Sequence, residues 1–156
     1  MLGIFIKTES PKRFSSHLLV SLQIVFLTMC CYPVGLTNSG PVWFLLLCAG
    51  GAVLGVVVLY FNPPSNFGVY PEVRAGAKLI TQGPYKYVRH PMYLALIIMM
   101  VGIAGYNGHW INYIGAGGIF VVVLLKVLRE EILLPKVFPD YEAYRSRTAR
   151  FVPFIW

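Results

Sequence analysis

Charge is scarce in this sequence. Charged residues make up 12% of its 156 positions, whereas hydrophobic residues make up 57%. Soluble globular proteins average about a quarter charged residues. The chain therefore lacks the polar surface of a soluble domain, and we predict a single membrane domain whose main solvent is the lipid bilayer. No internal repeat or low-complexity stretch divides it.

Cysteine and acidic residues are also few. Cys30, Cys31 and Cys48 all fall in apolar runs, and neighbouring side chains point in different directions, so no disulfide framework is implied. Six acidic residues leave a net charge of +7. Because the basic residues flank apolar segments, we attribute this charge to membrane topology and expect no nucleic acid partner.

Long uncharged runs are what the sequence has instead. Residues 18–36 and 42–61 carry no charge, and each is close to the roughly 20 apolar residues that cross a bilayer core. Residues 91–125 are also uncharged, but their polar centre at 106–112 predicts a turn between two short spans. We predict an all-α integral membrane fold of about four transmembrane helices, with the third and fourth forming a helical hairpin.

The N-terminal part raises one alternative. Its first apolar run follows basic residues, as a signal peptide would, but it is too long and has no small-residue cleavage site. We therefore expect a retained helix. The chain would then divide into a two-span part at residues 1–61 and a functional part at residues 62–156.

The basic residues predict the orientation. The connectors at 37–41 and 107–109 contain no Lys or Arg, and cytoplasmic loops are enriched in these residues. Both termini and the loop at 62–90 should therefore be cytoplasmic, and any chemistry should lie there. All thirteen basic residues fall on that side: Lys7, Lys12, Arg13, Arg74, Lys78, Lys86, Arg89, Lys126, Arg129, Lys136, Arg145, Arg147 and Arg150.

The cytoplasmic loop ends in GPYKYVRHPMY at residues 83–93. Gly-Pro marks a turn, and Pro91 suits the first turn of a helix, where its missing N–H is not needed. The free N–H groups and positive dipole end of such a helix would lie beside His90 and Tyr93, forming a small anion-binding corner. A belt of interfacial Tyr and Arg anchors is the alternative interpretation.

A second polar group follows the fourth span. Lys126 and Glu130 are four residues apart, so they share a helix face and offer a cation and a carboxylate to a zwitterionic ligand. A solvated surface pair is the alternative, and such a pair contributes only about 0 to 1 kcal/mol. A carboxylate beside a membrane is costly, which keeps the functional interpretation open.

The chain closes with a candidate lid. Residues 139–145 predict a short helix with proline in its first turn, and Tyr141, Tyr144 and Arg145 share one face. This helix could fold back over a pocket. The apolar residues 151–156 suit either docking on the interface or covering a pocket, and the sequence does not separate the two.

Together these elements resemble the isoprenylcysteine carboxyl methyltransferase family. The resemblance covers roughly residues 69–156 and is specific, because the Arg-His-Pro-x-Tyr element and the Glu-Glu element stand at the family's separation across an uncharged hairpin. It implies a cytoplasmic pocket for S-adenosylmethionine, built from the loop and the start of span three. The matching positions are 83–93, Glu130, Glu131, Phe138, Tyr141, Tyr144 and Pro153.

The resemblance also implies roles for single residues. Lys126 stands where the family has an arginine beside the substrate carboxylate, and lysine is a point charge that cannot make arginine's two-pronged contact. Arg129 is the second candidate for that contact. Glu130 would bind the cofactor's amino group, and no residue is expected to transfer protons. The implied cofactor-binding residues are Ala77, Lys78, Leu79, Ile80, Tyr85, His90, Pro91, Met92, Tyr93 and Glu130.

The predicted reaction is methyl transfer from S-adenosylmethionine to a lipophilic acceptor, such as an isoprenylcysteine carboxylate, without a metal. Because the sulfonium activates the methyl group, an ionised carboxylate needs no general base. A phospholipid amine or a small thiol is the alternative acceptor, although an amine must first lose a proton.

Two different classes of function compete with methyl transfer. The first alternative is an NADPH-dependent membrane sterol reductase. Such reductases tend to have an asparagine before the tyrosine and a Gly-acidic pair after it, and residues 92–96 have neither. The second is that of a non-enzymatic membrane scaffold, in which the same motifs would only anchor helices.

Overall fold

The computed structural model describes residues 10–32 and 40–153, with side chains from residue 15 onward. In this part of the chain every regular element is helical, as predicted, and an isolated bridge joins Val88 to Ala149. The elements are α1 (Ser10–Cys31), α2 (Phe44–Phe61), a 3-10 turn (Gly83–Lys86), α3 (Pro91–Asn107), α4 (Trp110–Val137) and α5 (Tyr141–Arg145).

Two helices, α2 and α4, are long and apolar enough to cross a membrane. At 1.5 Å per residue, the 18 residues of α2 extend about 27 Å, close to the roughly 30 Å of a hydrocarbon core. Its large side chains Leu46, Val53 and Tyr60 are exposed, as a lipid-facing helix requires. The apolar part of α1 and all of α3 are shorter, so the four-span arrangement stays a prediction.

Helix α1 begins earlier than the predicted span. It begins at Ser10, where the first apolar run was predicted to begin at residue 18. The polar residues before the run therefore extend the helix instead of ending it. The end of that predicted span and most of the following connector, residues 33–39, lie outside the described part, as do residues 1–9 and 154–156.

Small residues allow the helices to approach closely. Helix α2 packs against α3, and α1 packs against α4. A Cβ on Gly51 would lie 2.7 Å from the backbone N of Met99, and one on Gly115 would lie 2.6 Å from the backbone N of Cys30. These are the close contacts that small residues are expected to permit between membrane helices.

We expect Gly51→Ala to lower the apparent Tm of the detergent-purified protein. The new methyl group would also lie 2.8 Å from the Ala95 carbonyl oxygen. Overpacking costs about 1 to 3 kcal/mol, more than the gain of about 1 kcal/mol from replacing a helical glycine. Gly50→Ala is the control, since nothing lies within 4 Å of its added Cβ. Equal Tm values for the two variants would contradict this packing.

The hairpin between α3 and α4 forms where it was predicted. Helix α3 ends at Asn107, and Gly108 takes a left-handed conformation with φ 68°, which glycine adopts without strain. The polar turn also has partners in α1. Asn112 Nδ2 donates to the carbonyls of Met29 and Cys30, both at 3.0 Å. These bonds satisfy carbonyl groups that the end of α1 leaves without helical partners.

Helix α4 continues beyond the predicted apolar span, as the helical spacing of Lys126 and Glu130 requires. The sequence indicated an apolar span ending near residue 125, but the helix continues to Val137 through Pro135. Its 28 residues extend about 42 Å, roughly 12 Å more than a hydrocarbon core. The extra turns carry Lys126, Glu130 and Glu131 beyond the apolar segment. The following helix begins at Tyr141, so Pro139 lies before it and not in its first turn.

Candidate functional site

A cavity of about 390 Å³ lies where the loop after α2 meets the start of α3 and the end of α4. Cavities of about 300 to 1,000 Å³ commonly hold small molecules. Its lining residues come from α1, the loop, α3, α4 and α5. They include Gln23, Asn62, Asn66, Phe67, Val69, Glu72, Ala77, Lys78, Leu79, Ile80, Tyr85, His90, Met92, Tyr93, Lys126, Glu130, Phe138, Tyr141 and Tyr144.

The loop after α2 is folded by two asparagines. Asn66 Nδ2 donates to the Lys78 carbonyl at 2.9 Å, and the Lys78 N–H donates to Asn66 Oδ1 at 2.7 Å. Asn62 Nδ2 donates to Tyr85 Oη at 2.8 Å. These bonds hold residues 77–80 against the cavity, and the sequence interpretation assigned no role to either asparagine.

Glu130 is the carboxylate at the centre of the site. Tyr93, in the first turn of α3, donates a hydrogen bond from its Oη to Glu130 Oε1. His90 Nδ1 lies 3.4 Å from Glu130 Oε2. Pro91 begins α3 directly after His90, so the proline places both side chains on the same turn. Residues from opposite ends of the hairpin sequence are thereby joined at one wall of the cavity.

His90 is buried among carboxylates. Burial by itself lowers the pKa of His90, but its interactions with the nearby carboxylates of Glu130 and Glu131 outweigh this effect, so the pKa is raised. The Nε2 atom lies 3.5 Å from Glu131 Oε1, where the attraction is mainly that of charge, because the geometry does not make a hydrogen bond. The raised pKa favours an imidazolium that holds the two carboxylates together.

Glu131 belongs to the Glu-Glu element of the sequence, but the sequence interpretation assigned no role to it. Its Oε1 accepts from Arg89 Nε at 3.0 Å, and its Oε2 accepts from Arg150 Nε at 2.9 Å. All three side chains are largely buried. Glu131 faces away from the cavity, because consecutive helix residues point about 100° apart. No local pattern indicates its partners, which are 42 and 19 positions away.

The C-terminal segment is fastened beside this ion cluster. The N–H groups of Arg89 and His90 donate to the carbonyls of Ala149 and Arg150 at 2.8 and 3.2 Å. Phe151 is buried, and its ring centroid lies 6.3 Å from that of His90. Residues 149–151 therefore pack against the ion cluster. Of the segment 151–156 considered in the sequence, residues 154–156 lie outside the described part.

The candidate lid residues both line the cavity. Tyr144 Oη donates to the Tyr85 carbonyl at 2.7 Å, whereas Tyr141 Oη is buried and has no hydrogen-bond partner. Burial raises the pKa of Tyr141 to about 12 and also raises the pKa of Tyr85 and Tyr144. These tyrosines are therefore neutral at physiological pH and can donate hydrogen bonds. Arg145, predicted on the same face, is exposed and pairs with Glu142 at 3.6 Å.

Lys126 and Arg129, the two candidates for binding the methyl acceptor, lie in different surroundings. Lys126 is 1% exposed, lines the cavity, and donates to the Val69 carbonyl at 3.0 Å. Arg129 does not line the cavity, and its Nη1 donates to Ser16 Oγ at 3.3 Å on α1. Pro91 is also absent from the lining, since it forms the buried start of α3. The structure brings the rest of the candidate residues to this cavity.

The family model described as phospholipid methyltransferase matches residues 42–141. This is more than half of the chain, and it includes the loop, both hairpin helices and Glu130. The chain belongs to this family. Family membership confirms the resemblance found in the motifs, and together with the two long apolar helices it makes the chain an integral membrane protein.

Curated relatives match about half of this chain. It is 34% identical over 83 residues to protein-S-isoprenylcysteine O-methyltransferase of Schizosaccharomyces pombe, covering 49% of the chain and 34% of that relative. It is 30% identical over 86 residues to the nickel-cobalt-cadmium resistance protein NccN of Alcaligenes xylosoxydans xylosoxydans, covering 54% of the chain and 40% of the relative. It is 28% identical over 86 residues to the cobalt-zinc-cadmium resistance protein CzcN of Cupriavidus metallidurans, again covering 54% of the chain and 40% of the relative.

The matched regions thus span about two fifths or less of the curated relatives. Two of these relatives are named for metal resistance. Among the residues that the structure describes, no group of three or more His, Cys, Asp or Glu side chains could hold a metal ion. The absence of a metal from the reaction stays a prediction.

Proposed function

We propose that this protein transfers a methyl group from S-adenosylmethionine to a lipophilic acceptor at the cytoplasmic face of a membrane. The observation that carries the proposal is the position of Glu130, which lines the cavity between Tyr93 and His90. Membership of a methyltransferase family supports the reaction class. The acceptor and the cofactor are our inferences from the chemistry of the cavity and from the relatives.

The side chains around the cavity fit this cofactor. Glu130 provides a carboxylate for the amino group, and a charged hydrogen bond of this kind contributes about 1.5 to 3 kcal/mol. Residues 77–80 form part of the cavity wall. Tyr141 Oη is a buried polar atom without a protein partner, and such atoms are rare unless a ligand or water satisfies them. Tyr141 is therefore a candidate cofactor contact.

The protein contributes position and exclusion of water. S-adenosylmethionine, when bound, supplies a methyl group that its sulfonium already activates. Glu130, His90 and Tyr93 would hold the polar end of the cofactor, while Tyr141 and Tyr144 cover the cavity. Orientation of this kind can contribute about 7 to 11 kcal/mol to a two-reactant step. The neutral tyrosines provide no base, which suits an acceptor that is already ionised.

The acceptor that we favour is an isoprenylcysteine-type carboxylate. Lys126 provides a cation on the cavity wall, and the relative from Schizosaccharomyces pombe is named for methyl transfer to this group. A lipid-borne acceptor could enter from the bilayer while the cofactor enters from the cytosol. A phospholipid amine remains the alternative that the family description supports. A protonated amine would be repelled by Lys126.

Calorimetry of the detergent-purified protein tests the proposal. We expect S-adenosylhomocysteine to bind and NADPH not to bind, because Glu130 complements an amino acid group and would repel phosphates. Binding of NADPH alone would support a reductase. Binding of neither compound would support a scaffold, and either result would reject the proposed methyl transfer.

The proposed orientation has its own test. Cysteines at Ser65 and His109, both exposed, are introduced into a chain whose exposed Cys31 and partly exposed Cys48 are replaced by serine. A membrane-impermeant maleimide added to sealed right-side-out vesicles should label position 109 and not position 65, with the reverse in inverted vesicles. Labelling of both positions from one side would contradict the four-span arrangement.

A further inference from the structure

We propose that Gln23, on α1, is a positioning residue that aims the ammonium group of Lys126 at the anionic head of the acceptor. This inference rests on the proposed methyl transfer and assigns part of acceptor recognition to α1. Helix α1 precedes the region that the family model matches, residues 42–141. The contribution of α1 to the site is therefore inferred from its contacts in the structure and not from the family match.

The contacts around Lys126 are the first argument. Its Nζ donates to Gln23 Oε1 on α1 and to the Val69 carbonyl in the loop. An ammonium has three N–H donors, so these two bonds leave one donor available. Both Lys126 and Gln23 line the cavity, and the remaining donor is therefore available to a ligand there.

The chemistry of the two hydrogen-bond acceptors is the second argument. An amide oxygen and a backbone carbonyl orient an ammonium without cancelling its charge, whereas a carboxylate would neutralise it. No ion pair of Lys126 occurs among the described side chains. The ammonium is thus oriented by neutral groups, while the carboxylates of Glu72 and Glu130 line the same cavity outside ion-pair distance. This arrangement suits a carboxylate or phosphate oxygen and disfavours an amine.

The docking of the loop on α1 is the third argument. Ser16 Oγ donates to Glu72 Oε1, and the rings of His17 and Tyr70 meet edge to face with centroids 4.9 Å apart. Loop residues 69–72 also line the cavity. Helix α1 therefore contacts this wall at Ser16 and His17, and farther along the helix Gln23 lines the cavity itself.

The test compares Gln23→Leu, Gln23→Glu and Lys126→Met with the control Ser21→Ala, which lies at an exposed position of α1. The probe is N-acetyl-S-farnesylcysteine, titrated by calorimetry into protein saturated with S-adenosylhomocysteine, and its methylation is followed with S-adenosylmethionine. Gln23→Glu keeps a partner for Lys126, so it remains informative if Gln23→Leu fails to fold. The affinity of each variant for S-adenosylhomocysteine is measured separately.

We expect Gln23→Leu to weaken probe binding and raise KM about tenfold, with kcat nearly unchanged, since hydrogen bonds to charged groups make contributions of that order. Gln23→Glu should weaken it at least as much, because it neutralises Lys126. Affinity for S-adenosylhomocysteine should stay within about twofold for both, as it should for Ser21→Ala.

Two results obtained with the variants would overturn the inference. One is unchanged probe binding in Gln23→Glu, and the second is equal loss of probe and S-adenosylhomocysteine binding, which a merely structural role would produce. Failure of the unmodified protein to bind the probe while it binds S-adenosylhomocysteine would reject this inference alone. Failure to bind S-adenosylhomocysteine would instead reject the proposed function.

Discussion

Glu130→Gln is expected to weaken the binding of S-adenosylhomocysteine about ten- to a hundredfold while the protein stays folded. The substitution removes the negative charge that would hold the amino group, and a charged hydrogen bond is worth about 1.5 to 3 kcal/mol, with 1.4 kcal/mol corresponding to a factor of about ten. Glutamine can still accept the hydrogen bond from Tyr93, so the contact between α3 and α4 is kept. Calorimetry measures the affinity.

The control for this variant is Glu142→Gln. Glu142 lies on α5 and pairs with Arg145 at 3.6 Å, with 64% of its side chain exposed. The same loss of one negative charge at this surface position should leave the affinity unchanged, because exposed pairs contribute little. Normal binding of S-adenosylhomocysteine by Glu130→Gln would remove Glu130 from the cofactor site.

Glu131→Gln is expected to lower the apparent Tm by about 10 °C. It removes the buried carboxylate charge that Arg89 and Arg150 share, and removing one partner of a buried ion pair costs about 3 to 5 kcal/mol. A loss of about 1 kcal/mol lowers Tm by about 2 to 4 °C in a chain of this size. Glu142→Gln again serves as the control, and its Tm should be unchanged. Equal Tm values for the two variants would contradict the role of Glu131 in holding the C-terminal segment.

The same variant should change the pH dependence of stability. The pKa of His90 is raised above its ordinary value of 6.5 by Glu130 and Glu131, despite burial. A raised pKa in the folded state stabilises the protein fully below about pH 6.5, and this stabilisation is lost as the pH rises through the folded-state pKa. The apparent Tm of the unmodified protein should therefore fall over that range. Glu131→Gln removes one of the two raising carboxylates, so its decrease should be smaller.

Much of the fold is predictable from the sequence. The hairpin turn at Gly108 and the start of α3 at Pro91 agree with prediction, because glycine and proline limit the backbone locally. The end of α4 at Val137 was not predicted, because the sequence placed Lys126 and Glu130 on a helix after the apolar run but indicated no position for its end. Charged residues can continue a helix once it leaves the bilayer core, and local composition contains no signal against that.

The candidate site is predictable for a different reason. His90, Tyr93 and Glu130 were identified through a resemblance between motifs, and the structure brings them to one cavity. The resemblance indicated nothing for Gln23, because α1 lies outside the matched region. It also did not separate Lys126 from Arg129. Residues three apart lie only about 60° apart around a helix; the packing against α1 and the loop decides that Lys126 lines the cavity while Arg129 contacts Ser16.

The sequence by itself determined that the chain lies in a membrane and how its helices and turns are spaced. Hydrophobicity and backbone restrictions act over a few neighbouring residues, so they can be recognised locally. The sequence therefore sufficed to predict apolar helices, a polar loop between them and a carboxylate one turn from Lys126. Only the tertiary structure decided the partners of each charge. The Arg89 and Arg150 contacts to Glu131, and the Gln23 contact to Lys126, join residues far apart in the chain. Such pairings depend on how the helices pack, and no local pattern of residues specifies them.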